Sequence, residues 1–252
     1  MLRVGVVGPL AVDVPRVAVR RGALDAFGGL PLVLVSARSV DLPSVAAAAA
    51  AHPDTHYAYV GRSTKGMRRP NLVGVVFRDA QAASLAGMVT ALVLEEQGGT
   101  EPRAAWVGPV ERPLADAFAQ GIHRTVPSAV VLHGWSRRDP ARCKEAALAT
   151  LARGAVVVAA HGGLCAEAAA AAAHEHNRIA VALTDFELPR VAVATIVREA
   201  AGDRYHGGED LVFGAASGAV GIRRLDPRIS SDVALRARAA AQELAGGLRP
   251  TG

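Results

Sequence analysis

The chain has 252 residues, 51% of them hydrophobic and only 4% aromatic, with a formal net charge of +5. That length allows one large domain or two small lobes, and the apolar content allows a sizeable core. The arginines come as scattered pairs such as Arg20-Arg21 and Arg137-Arg138, without the aromatic interleaving or zinc-finger spacing of nucleic-acid binders. We therefore expect a solvated basic surface and no nucleic-acid partner.

Neither membrane insertion nor export is predicted by the sequence as given. No apolar run reaches the ~20 residues that a bilayer span needs, so we expect no direct membrane insertion. The chain opens on a strand with no secretion signal before it, which predicts a cytoplasmic location. Its two cysteines, Cys143 and Cys165, are too few for a disulfide framework and favour a reducing compartment.

Short apolar runs alternate with amphipathic stretches along the chain. The apolar runs predict strands at Arg3–Val7, Leu32–Ser36, His56–Val60, Leu72–Phe77, Ala105–Gly108, Val130–His133, Ala155–Ala160, Ile179–Leu183, Leu211–Ala215 and Ala219–Ile222. The stretches between them predict helices over about residues 16–27, 43–51, 80–97, 112–125, 140–153, 163–176, 189–202 and 230–246. This alternation is typical of α/β proteins whose parallel sheets carry helices on both faces.

Two changes of character divide the chain. Gly98-Gly99 ends a helix as a C-cap and opens the best internal boundary, which runs to residue 102. A second change follows a strand and lies near residues 188–194. We therefore predict an N-terminal lobe at 1–100, a C-terminal lobe at 101–190, and a return crossover with closing strands and a C-terminal helix at 191–252.

The segment from His161 to Cys165 predicts a strand, a turn and a helix with a thiol in its first turn. A helix N-terminus lowers the pKa of a thiol, so Cys165 is a candidate nucleophile with His161 as its base. The alternative function is then a cysteine-dependent hydrolase or isomerase, although no partner acid is identifiable. A zinc site that also used His174 and His176 lacks standard spacing. The loop at 61–66 lacks the Gly-Lys-Ser/Thr of a phosphate loop, and we expect no metal and no cofactor.

A set of short motifs in a fixed order resembles one known family. The first motifs are His52-Pro53-Asp54, Pro70-Asn71, Phe77-Arg78, Leu85-Ala86-Gly87 and Trp106-Val107-Gly108. The later ones include Val126-Pro127, Trp135-Ser136, Gly154-Ala155, Gly162-Gly163, Asp185 and the run from Phe213 to Gly221. Together they resemble the basic membrane protein (BMP), or PnrA-like, family of ABC-transporter solute-binding proteins, which have the type I periplasmic-binding-protein fold.

The resemblance implies two Rossmann-like lobes with a hinge and a ligand cleft between them. It also implies a non-catalytic protein that binds a small polar ligand, in this family often a nucleoside, and delivers it to an ABC transporter permease. Such a ligand suits aromatic stacking and hydrogen bonds to ribose hydroxyls. Ligands of open α/β sheets lie beyond the carboxyl ends of the strands. The candidate ligand-binding residues are Asp13, Phe77, Arg78, Asp79, Trp135, Gly162, Gly163, Asp185, Phe186 and Arg198.

Simpler structural explanations compete with these assignments. Phe77 continues a buried strand and is explained by core packing, while Asp185 also suits a helix cap or turn. A partly exposed Trp135 is common in proteins, and surface salt bridges are the usual role of residues such as Arg78 and Arg198.

The chain departs from the family pattern mainly in its first lobe. Gly61 stands where the family has an acid after a strand, and Arg198 is the candidate for the family's lysine. A βα unit is missing between Ser36 and Pro43, so we expect a shortened first lobe. The family usually works outside the cytoplasm, whereas this sequence shows no signal peptide. A cytoplasmic ligand-sensing or regulatory domain of the same fold is therefore an alternative to solute import.

Overall fold

A computed structural model describes residues 1–67, 69–137, 139–183, 188–222 and 224–246 of the chain. It consists of two compact units. The first contains Met1–Arg78 and Leu188–Gly214, and the second contains Asp79–Glu187 and Ala215–Gly252 as far as they are described. The chain therefore passes from one unit to the other three times.

The described residues form strands and helices in regular alternation. The strands are β1 (Leu2–Val7), β2 (Val17–Arg21), β3 (Leu32–Ser36), β4 (His56–Val60), β5 (Leu72–Phe77), β6 (Arg103–Gly108), β7 (Val130–Trp135), β8 (Val157–Ala160), β9 (Ile179–Ala182) and β10 (Asp210–Phe213). The α-helices are α1 (Leu42–Ala51), α2 (Asp79–Gln97), α3 (Arg112–His123), α4 (Pro140–Ala152), α5 (Leu164–Glu175), α6 (Leu188–Ala201) and α7 (Ser231–Gly246).

The first unit is built on a six-stranded sheet in the order β10-β5-β4-β3-β1-β2, and every pairing in it is parallel. Strand β3 is buried along its whole length, as expected of an apolar run without alternation. Val33 and Val35 pack with Tyr57 and Phe27 in a cluster that includes residues of α1. Helix α6 packs against β3, β4 and β5, so both faces of the sheet centre are covered.

The helix predicted over residues 16–27 is wrong. Residues Val17–Arg21 form the edge strand β2, and Leu24–Phe27 form a short 3-10 turn. Val17 and Val19 are β-branched residues two positions apart, which favours a strand over a helix. Strand β3 is followed directly by α1, with no further βα unit between Ser36 and Pro43, as expected of a shortened first lobe.

The second unit is built on a four-stranded parallel sheet in the order β7-β6-β8-β9. Its packing relies on small residues, because the cluster beneath α4 and α5 is largely alanine. Helices α2 and α3 cross at Gly87 and Gly121, where a Cβ on Gly87 would lie only 3.0 Å from the Cα of Gly121. Because of this close approach, α2 belongs to the second unit. The sequence analysis had placed it in the N-terminal lobe at 1–100.

The strand predicted at Ala219–Ile222 is also wrong. A 3-10 turn at Ala215–Ser217 precedes Gly218, whose φ is +71°, and the chain then follows an irregular path. Ala219 and Val220 are nevertheless buried, so their apolar character reflects packing rather than strand pairing. The prediction of an α/β protein with parallel sheets covered by helices is confirmed.

Candidate functional site

Three exposed apolar side chains lie at the carboxyl edge of the four-stranded sheet. Val110 follows β6, Trp135 ends β7, and Leu164 opens α5 after the turn that follows β8. Their exposed fractions are 66%, 40% and 67%. Because β7, β6 and β8 are neighbours in the sheet, the three side chains come from adjacent strand ends. Ligands of open α/β sheets bind at such an edge, which makes it the first candidate site.

The ring of Trp135 is oriented by His133, two residues earlier on the same face of β7. The two ring centroids are 5.0 Å apart, and the planes differ by only 7°. Residues at this spacing share a strand face, so the strand itself produces the stack. Burial lowers the pKa of His133, while the Asp116 carboxylate acts in the opposite direction. The neutral imidazole is therefore favoured at neutral pH, and Trp135 presents an oriented, exposed indole.

The turn between β8 and α5 depends on its two glycines. Gly162 and Gly163 have φ angles of +111° and +60°, a region that residues with a Cβ rarely adopt. Gly163 is the N-cap of α5 and contributes no side-chain cap. The start of α5 consequently directs backbone N–H groups and the positive end of the helix dipole toward this edge, which favours an oxygen-rich ligand group.

Backbone and side-chain contacts join the three turns of this edge. The N–H of Ser136 donates to the carbonyl of Gly108 at 2.9 Å, and the N–H of His161 donates to the carbonyl of Val107 at 3.1 Å. The Nε2 of His161 lies 3.4 Å from a carboxylate oxygen of Glu111. His161 therefore pairs with a carboxylate at this edge, and the turns after β6, β7 and β8 form one connected surface.

Cys143 of α4 and Cys165 of α5 form a disulfide bond, with their Cα atoms 5.3 Å apart. Both residues are fully buried, and the Oγ of Ser136 lies 2.8 Å from the Sγ of Cys143. The hypothesis of Cys165 as a nucleophile is therefore wrong, since its sulfur is not a free thiol. The same bond removes Cys165 from the zinc set, and the described residues contain no other group of three metal-binding side chains.

In the first unit, Phe77 and Arg78 stand at the carboxyl end of β5. The ring of Phe77 is partly buried and lies 6.4 Å from the ring of Phe213. The N–H of Arg78 donates to the carbonyl of Phe213 at 2.8 Å, and its side chain is exposed. Asp79 follows as the first residue of α2, in the second unit. Phe77 and Arg78 are thus brought together at the carboxyl edge of the six-stranded sheet.

Two further candidates lie apart from these edges. Asp13, in the loop before β2, accepts a hydrogen bond from Nη2 of Arg190 at 2.5 Å. Arg198 lines a cavity of about 570 Å³ together with Met1 and Leu2, at the amino end of β1. Arg198 therefore does not join the residues of the carboxyl edge. Asp185 and Phe186 lie outside the described residues.

The loop at 61–66 is held by an acid. The N–H and Oγ1 of Thr64 donate to Asp210 at 2.8 and 3.0 Å, and Ser63 donates to the other carboxylate oxygen. Burial raises the pKa of Asp210, but these hydrogen bonds and the Lys65 charge lower it overall. The hydroxyls of this loop thus bind a carboxylate of the chain itself, which explains why the loop only superficially resembles a phosphate loop.

Sequence reasoning missed Val110 and Leu164. Each directly follows a strand-end turn, Gly108-Pro109 in one case and Gly162-Gly163 in the other. An apolar residue directly after a strand-end turn neither continues the strand nor belongs to the core. Its position in the sequence could therefore have identified it as an exposed apolar residue.

None of the described helices has both the length and the apolar character needed to cross a lipid bilayer.

Comparisons with known proteins agree with this architecture. An ABC transporter solute-binding protein from Conexibacter woesei is 18% identical, with a TM-score of 0.70 over 98% of this chain and 97% of that chain. One from Aeropyrum pernix is 16% identical, with a TM-score of 0.67 over 98% and 92%. A transcriptional activator of the comK gene from Bacillus halodurans is 13% identical, with a TM-score of 0.70 over 99% and 100%. At such identities these structures establish the fold and not the activity.

Sequence comparison identifies the family. No curated protein matches the chain closely enough to transfer an activity. Residues 32–186, however, match the family described as Bmp, ABC transporter substrate-binding protein PnrA-like. That match spans more than half of the 252 residues and confirms the resemblance of the motifs. The chain belongs to the PnrA-like family of ABC transporter substrate-binding proteins.

Proposed function

We propose that this protein is the solute-binding component of an ABC importer and that its solute is nucleoside-like, with a planar base that stacks on Trp135. The observation that carries the proposal is the exposed indole at the carboxyl edge of the sheet, oriented by the parallel ring of His133. Stacking of a base on an aromatic side chain contributes about 1–3 kcal/mol. Val110 and Leu164 add exposed apolar area beside it.

Polar groups at the same edge suit the sugar of such a solute. The turn at Gly162-Gly163 and the start of α5 supply backbone N–H donors for ligand oxygens. Asp185, which follows β9 in the sequence, is proposed to accept hydrogen bonds from ribose hydroxyls. Substitution Asp185→Asn keeps the size of the side chain and removes its charge, so it should weaken binding.

We further propose that the protein works outside the cytoplasm. Disulfide bonds form and persist in oxidising compartments and are rare where thiol reductants are abundant. The buried Cys143–Cys165 bond supports this location. It also agrees with delivery of a solute to a permease from the outer side of a membrane.

The test is a ligand screen with purine and pyrimidine nucleosides, followed by thermal unfolding and intrinsic fluorescence. A ligand at a hundred times its Kd should add about 2.7 kcal/mol of stability. The chain has two tryptophans, and Trp106 is buried in the core. A solute that stacks on Trp135 should therefore change the fluorescence of the exposed indole selectively.

Two variants and a control separate stacking from other effects. Trp135→Phe keeps an aromatic surface, so it should bind but lose the fluorescence change. Trp135→Ala should weaken binding by about 5- to 150-fold, the range that 1–3 kcal/mol of stacking predicts. Leu235→Ala removes another exposed apolar side chain, 70% exposed on α7, and should bind normally. Failure of every nucleoside at millimolar concentration to shift the unfolding temperature would refute the nucleoside assignment.

A further inference from the structure

The carboxyl edge of the six-stranded sheet carries an arginine after each of three neighbouring strands. Arg38 follows β3, Arg62 follows β4, and Arg78 follows β5. The register pairs Ser36 with Val60, so β3 and β4 end at the same level. Adjacent strands are about 4.8 Å apart, which places the three strand ends within about 10 Å.

These three arginines differ from the arginines that pair with a carboxylate. The side chains of Arg103, Arg190 and Arg236 pair with Glu101, Asp13 and Glu95 at 2.5–2.7 Å. Arg38, Arg62 and Arg78 are exposed, and no carboxylate of the described residues lies within ion-pair distance of them. Their guanidinium groups therefore have donors available for a ligand.

Three aspartates of the neighbouring turns and helix starts have local structural roles. Asp41 is the N-cap of α1 and accepts from the N–H of Ser44 at 2.8 Å. Asp210 is occupied by Ser63 and Thr64, and Asp79 belongs to the first turn of α2. The family resemblance led us to expect an acid after β4, but the chain has Gly61-Arg62 there. After β4, an arginine that donates hydrogen bonds therefore stands beside the position where the family has an acid that accepts them.

We propose that Arg38, Arg62 and Arg78 bind the phosphate group of a phosphorylated small molecule, so that the solute is an anion and not a neutral nucleoside. The inference refines the solute class of the proposed function and depends on the protein being a solute-binding protein. A guanidinium donates two parallel hydrogen bonds to a phosphate, and Arg is the residue best suited to such recognition.

Calorimetric titration with four matched probes tests the proposal: adenosine, adenosine 5′-monophosphate, ribose 5-phosphate and inorganic phosphate. We expect the phosphate-bearing probes to bind, and adenosine 5′-monophosphate to bind at least about 10-fold more tightly than adenosine, as one charge-assisted hydrogen bond allows. Their affinity should fall as salt is raised, because exposed charges are screened. Adenosine binding at the same affinity as its monophosphate would overturn the inference and leave the proposed function in place.

The arginine variants locate the site. Arg38→Gln, Arg62→Gln and Arg78→Gln should each weaken the phosphate-bearing probes by about 10-fold and leave adenosine unchanged. The control is Arg3→Gln, which removes an exposed arginine of β1 from the same unit with the same change in net charge.

Each outcome of the variant series is decisive. A loss equal to that of Arg3→Gln, or no loss at all, would refute the site, and so would failure of every phosphate-bearing probe to bind at millimolar concentration. Binding of ribose 5-phosphate and phosphate should be insensitive to Trp135→Ala, because neither probe has a base. Binding of adenosine 5′-monophosphate that is equally insensitive to Trp135→Ala would support the arginine site and refute base stacking.

Discussion

Removal of the Cys143–Cys165 disulfide should destabilise the second unit by about 3 kcal/mol. The bonded residues are 22 positions apart. For a loop of that length the chain-entropy model gives about 11 cal/mol/K, or about 3.4 kcal/mol at 25 °C. The core around the bond is largely alanine, and an alanine side chain buries little apolar area. The disulfide therefore contributes an unusually large share of the stability of the α4–α5 pair.

The double variant Cys143→Ala/Cys165→Ala provides the measurement. Urea unfolding is followed by circular dichroism for the variant and the oxidised wild type, and a dithiothreitol-treated wild type serves as the matched control. The variant and the reduced wild type should both unfold at lower urea than the oxidised protein. In the variant, the buried Oγ of Ser136 loses the Sγ of Cys143 as its neighbour. The variant should therefore be slightly less stable than the reduced wild type.

A thiol titration decides whether the reasoning holds. Oxidised protein unfolded in guanidinium chloride should show no free thiol, and reduced protein should show two, since the chain has two cysteines. Two results together would refute both the bond and the predicted loss of stability. They are two free thiols in protein prepared without reductant, and a urea midpoint that dithiothreitol does not change. They would also remove the support that the bond gives to a location outside the cytoplasm.

Two further predictions concern buried polar groups. The Nδ2 of Asn71 donates to the carbonyls of Ala49, His52 and Thr55 at 2.9–3.0 Å. In urea unfolding, Asn71→Ala should therefore lower the free energy of unfolding by about 1–3 kcal/mol, and Asn71→Asp should lower it more, because a carboxylate would face three carbonyls. Equal losses of stability in the two variants would contradict this. Burial raises the pKa of Asp226, but hydrogen bonds from Ala180, Arg228 and His174 lower it overall from the usual 3.8. The ionised carboxylate therefore stabilises the fold above about pH 4, and this effect is lost as the pH falls through the pKa of Asp226 in the folded protein. The difference in stability between the wild type and Asp226→Asn should accordingly shrink on acidification. A difference that is independent of pH would disprove the prediction.

Strands that are buried on both faces were the easiest elements to predict. The predicted bounds of β3, β4 and β5 are the observed ones, because short runs of five or six residues rich in β-branched and aromatic side chains favour buried strands over helices. Edge strand β2 was not recognised, since Arg20 and Arg21 interrupt the apolar pattern of Val17 and Val19. Its identity depends on pairing with β1, a tertiary contact that local sequence does not encode.

The candidate site was predictable where it follows from topology. The rule that ligands lie at the carboxyl ends of strands found Phe77, Arg78, Trp135 and the turn at Gly162-Gly163. Arg198 was placed by analogy alone, and the structure puts it at the amino end of β1. The disulfide depends on how closely α4 packs on α5, and the spacing between Cys143 and Cys165 carries no information about that distance.

The arginines show why scattered charge in a sequence is not evidence of scattered charge in a protein. Arg38, Arg62 and Arg78 belong to no run or helix, and only Arg78 was named as a candidate ligand-binding residue. A parallel sheet brings successive strand ends to one edge, and the order β5-β4-β3 makes these strands direct neighbours. The carboxylates of Asp41 and Asp210 accept hydrogen bonds from the chain itself, whereas the three arginines form no ion pair among the described residues. An anionic solute is the ligand class that would use these guanidinium donors, and for that reason the arginine variants are a more direct test of specificity than any substitution in the core.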